Sequence, residues 1–133
     1  MRIDRNSLQE FITLFQKSGI ENPLREVRLL LSLATGKSYE QIFFSKEFLL
    51  NSEQQAKFED AVKRRVNHEP LSKIIGYREF WGLNFKVTKD TLDPRPDSEV
   101  MIEAVLKQQP DKKKTLKCLD LGTGTGCLLL SIL

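Results

Sequence analysis

The sequence predicts an α+β chain in three parts: a small N-terminal helical bundle over residues 1–70, a linker and β-hairpin over 71–92, and the beginning of an open α/β domain over 93–133. Three observations predict this. Apolar residues recur at helical spacing in four segments of the first part. Aromatic and β-branched residues then take over between Tyr77 and Thr88. Near the C-terminus an apolar run meets three glycines within five positions and then a second apolar run, the pattern of strand, tight turn and helix.

In the first part, Ser7 and Glu10 form a capping-box pair ahead of Leu8, Phe11, Ile12 and Phe15, and Gly19 is a stop. Asn22-Pro23 opens a second helix, with Val27, Leu30, Leu31 and Ala34 on one face and Gly36 at its end. Ser38 with Gln41 opens a short third helix carrying Ile42 and Phe43. Ser52 with Gln55 opens a fourth, running to about Asn67, with Ala56, Val62 and Val66 as core candidates. Four short amphipathic helices suggest a bundle of marginal stability. Residues 68–72 read as a linker.

In the second part, Tyr77–Trp81 and Asn84–Thr88 pair as a hairpin around Gly82. Asp93-Pro94-Arg95-Pro96-Asp97 is stiff and extended, because each proline fixes its own φ and pushes the residue before it away from helix. Asp97 caps a helix over 98–108, Pro110 and the run Asp111 to Lys114 make a loop, Leu116 to Leu121 is a short strand, and Cys127 begins the last helix.

Composition excludes several classes. The formal net charge is +3 among 29% charged residues; neither half stands out as a nucleic-acid-binding or membrane-binding arm, and a charge this small does not suggest an acidic partner. No apolar stretch approaches the roughly 18 residues that span a bilayer, and no signal peptide is apparent. Cys118 and Cys127 are too few for a disulfide framework or a zinc site, so no metal is expected and the thiols read as reduced, in a cytoplasmic protein.

The strongest chemical signal is Asp120-Leu121-Gly122-Thr123-Gly124-Thr125-Gly126. Glycines admit positive φ and leave no Cβ in the way, so a ligand can lie against the backbone at a strand end. A dinucleotide fingerprint would need its third glycine at position 127, which is Cys127; a P-loop would need Lys after the last glycine, where Cys127-Leu128 stand. An acidic strand end followed by G-x-G-x-G fits the first motif of Rossmann-like methyltransferases, whose ligand is a sulfonium with an amino-acid tail. The plain alternative is an ordinary glycine turn between strand and helix.

Several blocks together resemble the HemK/PrmC family of release-factor glutamine methyltransferases: Val27-Arg28-Leu29-Leu30-Leu31 with Gly36, Glu69-Pro70-Leu71, Ile75 through Phe85, Pro94 through Glu99, and Leu119 through Cys127. The resemblance spans nearly the whole chain. Pro-Arg-Pro-Asp-Ser-Glu between hairpin and glycine turn is its most specific block. It implies a helical substrate-recognition domain, a hairpin, and the start of a Rossmann-like S-adenosylmethionine-dependent domain that methylates the glutamine amide of the Gly-Gly-Gln loop of peptide-chain release factors. By the same resemblance, Asp120, Gly122, Thr123, Gly124, Thr125 and Gly126 would bind the cofactor, and Arg95, Pro96, Asp97 and Glu99 would lie near its pocket or the substrate's. Asp93 stands where the family has an apolar residue, and Ser98 where it has Thr. The family's Asn-Pro-Pro-Tyr motif is expected several tens of residues beyond Leu133, so no catalytic residue is expected within 1–133, and this chain alone should bind cofactor weakly or not at all. A monomer is expected.

Other residues carry simpler expectations. His68 sits at a helix end, Lys63-Arg64-Arg65 on a solvated face or, less readily, at a release-factor or ribosomal contact, and Arg95 in an ion pair with Glu99 or Asp97 or, equally, in a ligand role. Trp81, Phe80 and Phe85 pack the hairpin or wall the glutamine pocket. Two competing functions remain: a non-catalytic release-factor-binding module or relict, and a fragment of a nucleic-acid amino-methyltransferase, against which the missing basic face weighs.

Overall fold

The computed structural model describes residues 1–111, 115 and 117–133. The lysine loop at Lys112, Lys113 and Lys114 and the first residue of the expected strand, Leu116, lie outside the described residues. The chain divides into two units, Met1–Ile75 and Gly76–Leu133. It is mostly helical, with two small antiparallel sheets of two strands each.

The first unit holds α1 (Arg5–Lys17), α2 (Pro23–Thr35), α3 (Tyr39–Phe44), α4 (Ser52–Val66) and α5 (Leu71–Ile75). Two short strands, β1 (Arg2–Ile3) and β2 (Phe48–Leu49), pair Arg2 with Leu49 and Ile3 with Phe48. Helical periodicity correctly picks the buried face of α2: Val27, Leu30, Leu31 and Ala34 are all in the core, with Phe15 from α1 and Ile42 from α3. Phe58 is fully buried in α4, its ring edge-on to Phe11 at 5.0 Å.

Helix ends show where local pattern misleads. The cap of α1 is Asp4, not Ser7. The Asp4 carboxylate accepts the N–H groups of Asn6 and Ser7 and the Ser7 hydroxyl, a negative acceptor at the positive end of the helix. Those bonds hold the Asp4 carboxyl below the usual carboxylate range, the Ser7 N–H contributing most. Ile3 before the cap and Leu8 in the first turn both join the core, so the helix starts three residues earlier than the capping-box reading. In α4 the reciprocal box is Asn51 with Gln54, one residue before the expected Ser52 and Gln55. The chain stays extended through Leu50, whose N–H donates to the Met1 carbonyl, and Asn51 is the first residue free to cap. Ala56, expected in the core, is exposed; two residues before Phe58, it falls on the opposite face. Ser38 with Gln41 is a capping box as expected.

Two Schellman motifs stop α1 and α4. Gly19, at φ +73°, donates to Gln16 while Ile20 donates to Phe15. The same pair of bonds closes α4, from His68 to Arg65 and from Glu69 to Arg64, but the left-handed position is held by His68 at φ +64°. The stretch expected as linker turns almost at once into α5, where Ser72 and Ile74 are buried.

The second unit begins with the hairpin of β3 (Tyr77–Phe80) and β4 (Leu83–Lys86), in register Tyr77 to Lys86 through Phe80 to Leu83. A single 3₁₀ turn (Pro96–Ser98) leads into α6 (Glu99–Gln108), and α7 (Cys127–Ile132) follows the glycine turn. Asp97 lies inside the 3₁₀ turn and does not cap α6; the cap position is Ser98, which makes no side-chain capping bond. The proline at 96 fixes helical φ one step earlier than expected. No strand forms among the described residues of 116–121, and Leu119 and Leu121 are exposed. A parallel strand needs a neighbour to complete its ladder, and none pairs with this segment.

Candidate functional site around the glycine turn

The hairpin turn is two residues long, Trp81 and Gly82, both with positive φ (+52° and +74°). That is the type I′ geometry matching strand twist. Gly82 suits it. Trp81 does not: a bulky L-residue in the left-handed region is an outlier, costing about 1–2 kcal/mol. The Trp81 N–H donates to Oε1 of Glu99, at 3.1 Å. Glu99 is the first residue of α6 and the last of the proline-rich block, so its charge also sits at the favourable end of a helix.

One small apolar cluster draws the blocks together. Phe80 and Phe85 of the hairpin, their rings 6.3 Å apart and edge-on, meet Ile102 of α6 and Cys127 of α7. Trp81, Leu128 and Ile132 pack against them. The hairpin, the helix after the proline-rich block and the helix after the glycine turn, separated in sequence, therefore share a cluster.

The glycine turn itself is tight. The Gly126 N–H donates to the Thr123 carbonyl at 2.8 Å, and the Thr123 hydroxyl to the Asp120 carbonyl at 3.1 Å. Gly122, Gly124 and Gly126 all have positive φ. A Cβ on Gly126 would meet the Leu130 side chain at 3.4 Å, whereas one on Gly122 would meet nothing within 4 Å. Backbone is thus bare on the outer side of the turn, and Gly122, Thr123 and Gly124 are exposed, with Thr125 half-buried. One oxygen of Asp120, Oδ2, is buried with no hydrogen-bond partner. An orphaned carboxylate oxygen beside an uncovered glycine backbone fits a ligand carrying N–H or O–H donors and no phosphate.

The remaining expected site residues are less committed. Pro94 is buried, whereas Arg95, Pro96 and Asp97 are exposed. The expected Arg95 ion pair does not form; Glu99 is taken by the Trp81 amide instead. Sequence reasoning missed both this anchor and the burial of Cys127. The signal for the first was present: a two-residue Trp-Gly turn between alternating strands demands positive φ at both positions.

Elsewhere, of the run expected as a solvated face, Lys63 is exposed, Arg64 is partly exposed and Arg65 is largely covered. Arg64 grips the Glu69 carboxylate with Nε at 2.7 Å and Nη2 at 2.6 Å, and Arg65 Nε meets Glu26 at 2.5 Å. His68 is exposed at the end of α4. Among the described residues no group of three or more His, Cys, Asp or Glu converges as a metal site, and no helix is long and apolar enough to cross a membrane.

Compared with known proteins, residues 6–76 match the family model of the PrmC N-terminal domain. A release factor glutamine methyltransferase of Coxiella burnetii is 44% identical over 112 residues, covering 84% of this chain and 40% of the relative. A release factor glutamine methyltransferase of Agrobacterium fabrum is 37% identical over 121 residues, covering 89% and 42%. A bifunctional methyltransferase of Rickettsia bellii is 35% identical over 156 residues, covering 96% and 28%. The chain spans about two fifths of the length of the first two.

Proposed function

The chain belongs to the PrmC N-terminal domain family, and on that premise we propose that the whole protein transfers a methyl group from S-adenosylmethionine to the glutamine amide in the Gly-Gly-Gln loop of peptide-chain release factors. The observation that carries this reading is the shared cluster: the hairpin, the helix opened by the Pro94–Glu99 block and the helix that follows Gly126 meet at Phe80, Phe85, Ile102 and Cys127. In this reading Gly122, Thr123, Gly124, Thr125 and Gly126 line the methionine end of the cofactor and Asp120 offers its unpartnered oxygen to a donor group there. Arg95, Pro96, Asp97 and Glu99 flank the pocket. When bound, S-adenosylmethionine supplies an electrophilic methyl on a sulfonium. The chain's own residues bind and orient, and such a transfer depends on proximity and alignment. Asn-Pro-Pro-Tyr does not occur in these 133 residues, and the groups that hold the target amide are placed outside them. In this reading the protein acts in the cytoplasm as a monomer, and its second unit belongs to a Rossmann-like domain.

The test is transfer of labelled methyl from S-adenosylmethionine to an intact release factor by the product of the complete reading frame. Label is expected on the Gly-Gly-Gln glutamine and should vanish when that glutamine is replaced; absence of label on the unmodified factor sinks the reading. A second reading is favoured by the separate core of the first unit: a module that grips the release factor without catalysis. Capture of release factor with no methyl transfer by any product of the gene would select it.

A further inference from the structure

The only two residues other than glycine with positive φ are His68 and Trp81, among the described residues. His68 ends a helix, where a left-handed residue is common. Trp81 stands where a type I′ turn demands positive φ, but a bulky side chain there is an outlier, and an outlier of this kind is where function is worth seeking. Three facts meet at it. Its N–H, at the tip of the hairpin, is bound by the Glu99 carboxylate at 3.1 Å. Its side chain packs on the cluster containing Cys127. Cys127 is the residue directly after Gly126, whose backbone closes the glycine turn on Thr123.

We infer that Glu99 is a positioning residue for the glycine turn. It fixes Trp81 in the left-handed conformation, Trp81 and Phe80 press on the start of α7, and the start of α7 sets the turn that faces the ligand. The inference rests on the proposal that this turn receives S-adenosylmethionine. Glu99 itself need not touch the cofactor.

Amide NMR on the 133-residue chain tests the linkage without cofactor. Glu99→Ala should displace the amide signals of Trp81 and also those of Gly124 to Leu128. Glu99→Gln, which keeps an acceptor oxygen, should leave the second group near its original positions. Trp81→Asn, which tolerates positive φ but lacks the ring, should displace the second group as Glu99→Ala does. In the product of the complete reading frame, Glu99→Ala should weaken S-adenosylmethionine binding about tenfold, the worth of one charge-assisted hydrogen bond. KM for the cofactor should rise while kcat holds, and Glu99→Gln should restore binding. Glycine-turn signals unmoved by Glu99→Ala or by Trp81→Asn overturn the inference, as does Glu99→Gln behaving like Glu99→Ala. If the signals move as expected but the unaltered protein binds no S-adenosylmethionine, the positioning role stands and the cofactor assignment falls.

Discussion

Among the described residues, Met1–Ile75 gather fourteen buried hydrophobic residues into one cluster, whereas Gly76–Leu133 gather four. Large apolar residues left exposed run the other way. Phe43, Phe44 and Leu49 are typical of the first unit, but Leu92, Val100, Met101, Leu119, Leu121 and Leu130 leave the second far less covered for its length. The cause lies in the elements. A helix satisfies its backbone internally, so each amphipathic stretch of the first unit needs only another apolar stripe to pack on. A parallel strand satisfies nothing alone, and the segment holding Leu119 and Leu121, with no strand beside it among the described residues, is irregular and exposed. The two units also use strain differently: His68 closes a helix, while Trp81 holds a hairpin tip against a carboxylate.

The comparison breaks most readily at the cores. Phe58→Ala removes a fully buried ring that also stacks edge-on with Phe11, and should cost about 3–5 kcal/mol, enough to unfold a unit of this size. Ile102→Ala should cost at most about 2–5 kcal/mol, nearer the lower end, because its surroundings are sparse and can close up. Amide hydrogen exchange read unit by unit checks both. Phe58→Ala should strip protection from residues 1–75 first; equal loss of protection in both units would mean that the division is not an energetic one.

How legible this was in the sequence follows the same division. The face of α2, the Ser38 box and the stop at Gly19 were readable because each depends on residues three or four apart. The cap at Asp4 was not, since it depends on Ile3 being tied into a two-residue strand with Phe48, a contact 45 residues away in sequence that no local period encodes. The Asn51 box had a near-identical competitor one residue later, and only the bond from Leu50 to Met1 decides between them. At the candidate site the glycine turn was plain from its residues, but the role of Glu99 was not: the pattern offered Arg95 as its partner, and the actual partner is a backbone amide 18 residues earlier. The strand at 116–121 was read from apolar content, which records what a segment would bury and not whether a neighbour is there to pair.

Smaller changes sharpen the account of the first unit. Arg65 and Glu26 join α4 to α2, and their side chains are 17% and 13% exposed. Removing one partner strands the other charge in a poorly solvated place. Arg65→Ala should cost about 2 kcal/mol, between the exposed and fully buried limits, and Arg65→Met with Glu26→Leu should recover most of it. Urea midpoints for the single and double variants measure the difference; a single variant as stable as the parent would show the pair to be screened. His68→Gly tests the strain at the end of α4. Relief of the left-handed penalty, set against the greater freedom of glycine in the unfolded chain, should leave a gain of roughly 0.5–1 kcal/mol. His68→Ala should show no such gain, because alanine keeps the Cβ that creates the strain.

The smallest effect is the pH dependence of the same helix end. Hydrogen bonds from Arg64 hold the Glu69 carboxyl below its ordinary value, with the charge of Arg64 adding to them and desolvation opposing. A carboxyl whose pKa is lower in the folded state binds fewer protons there than in the unfolded chain. Its contribution is therefore whole above the ordinary carboxylate range and drains away as pH falls through the folded value. Because the pair is about a third exposed, solvent screens it and the slope should be shallow. Stability measured from neutral pH down into the carboxylate range should fall less steeply in Glu69→Gln than in the parent. Asp4, depressed by the Ser7 N–H, should leave a residual slope that Asp4→Asn removes, since asparagine caps without titrating. An unchanged slope in Glu69→Gln would mean that the bidentate contact holds the helix end by geometry alone, with the charge of Glu69 left to the solvent.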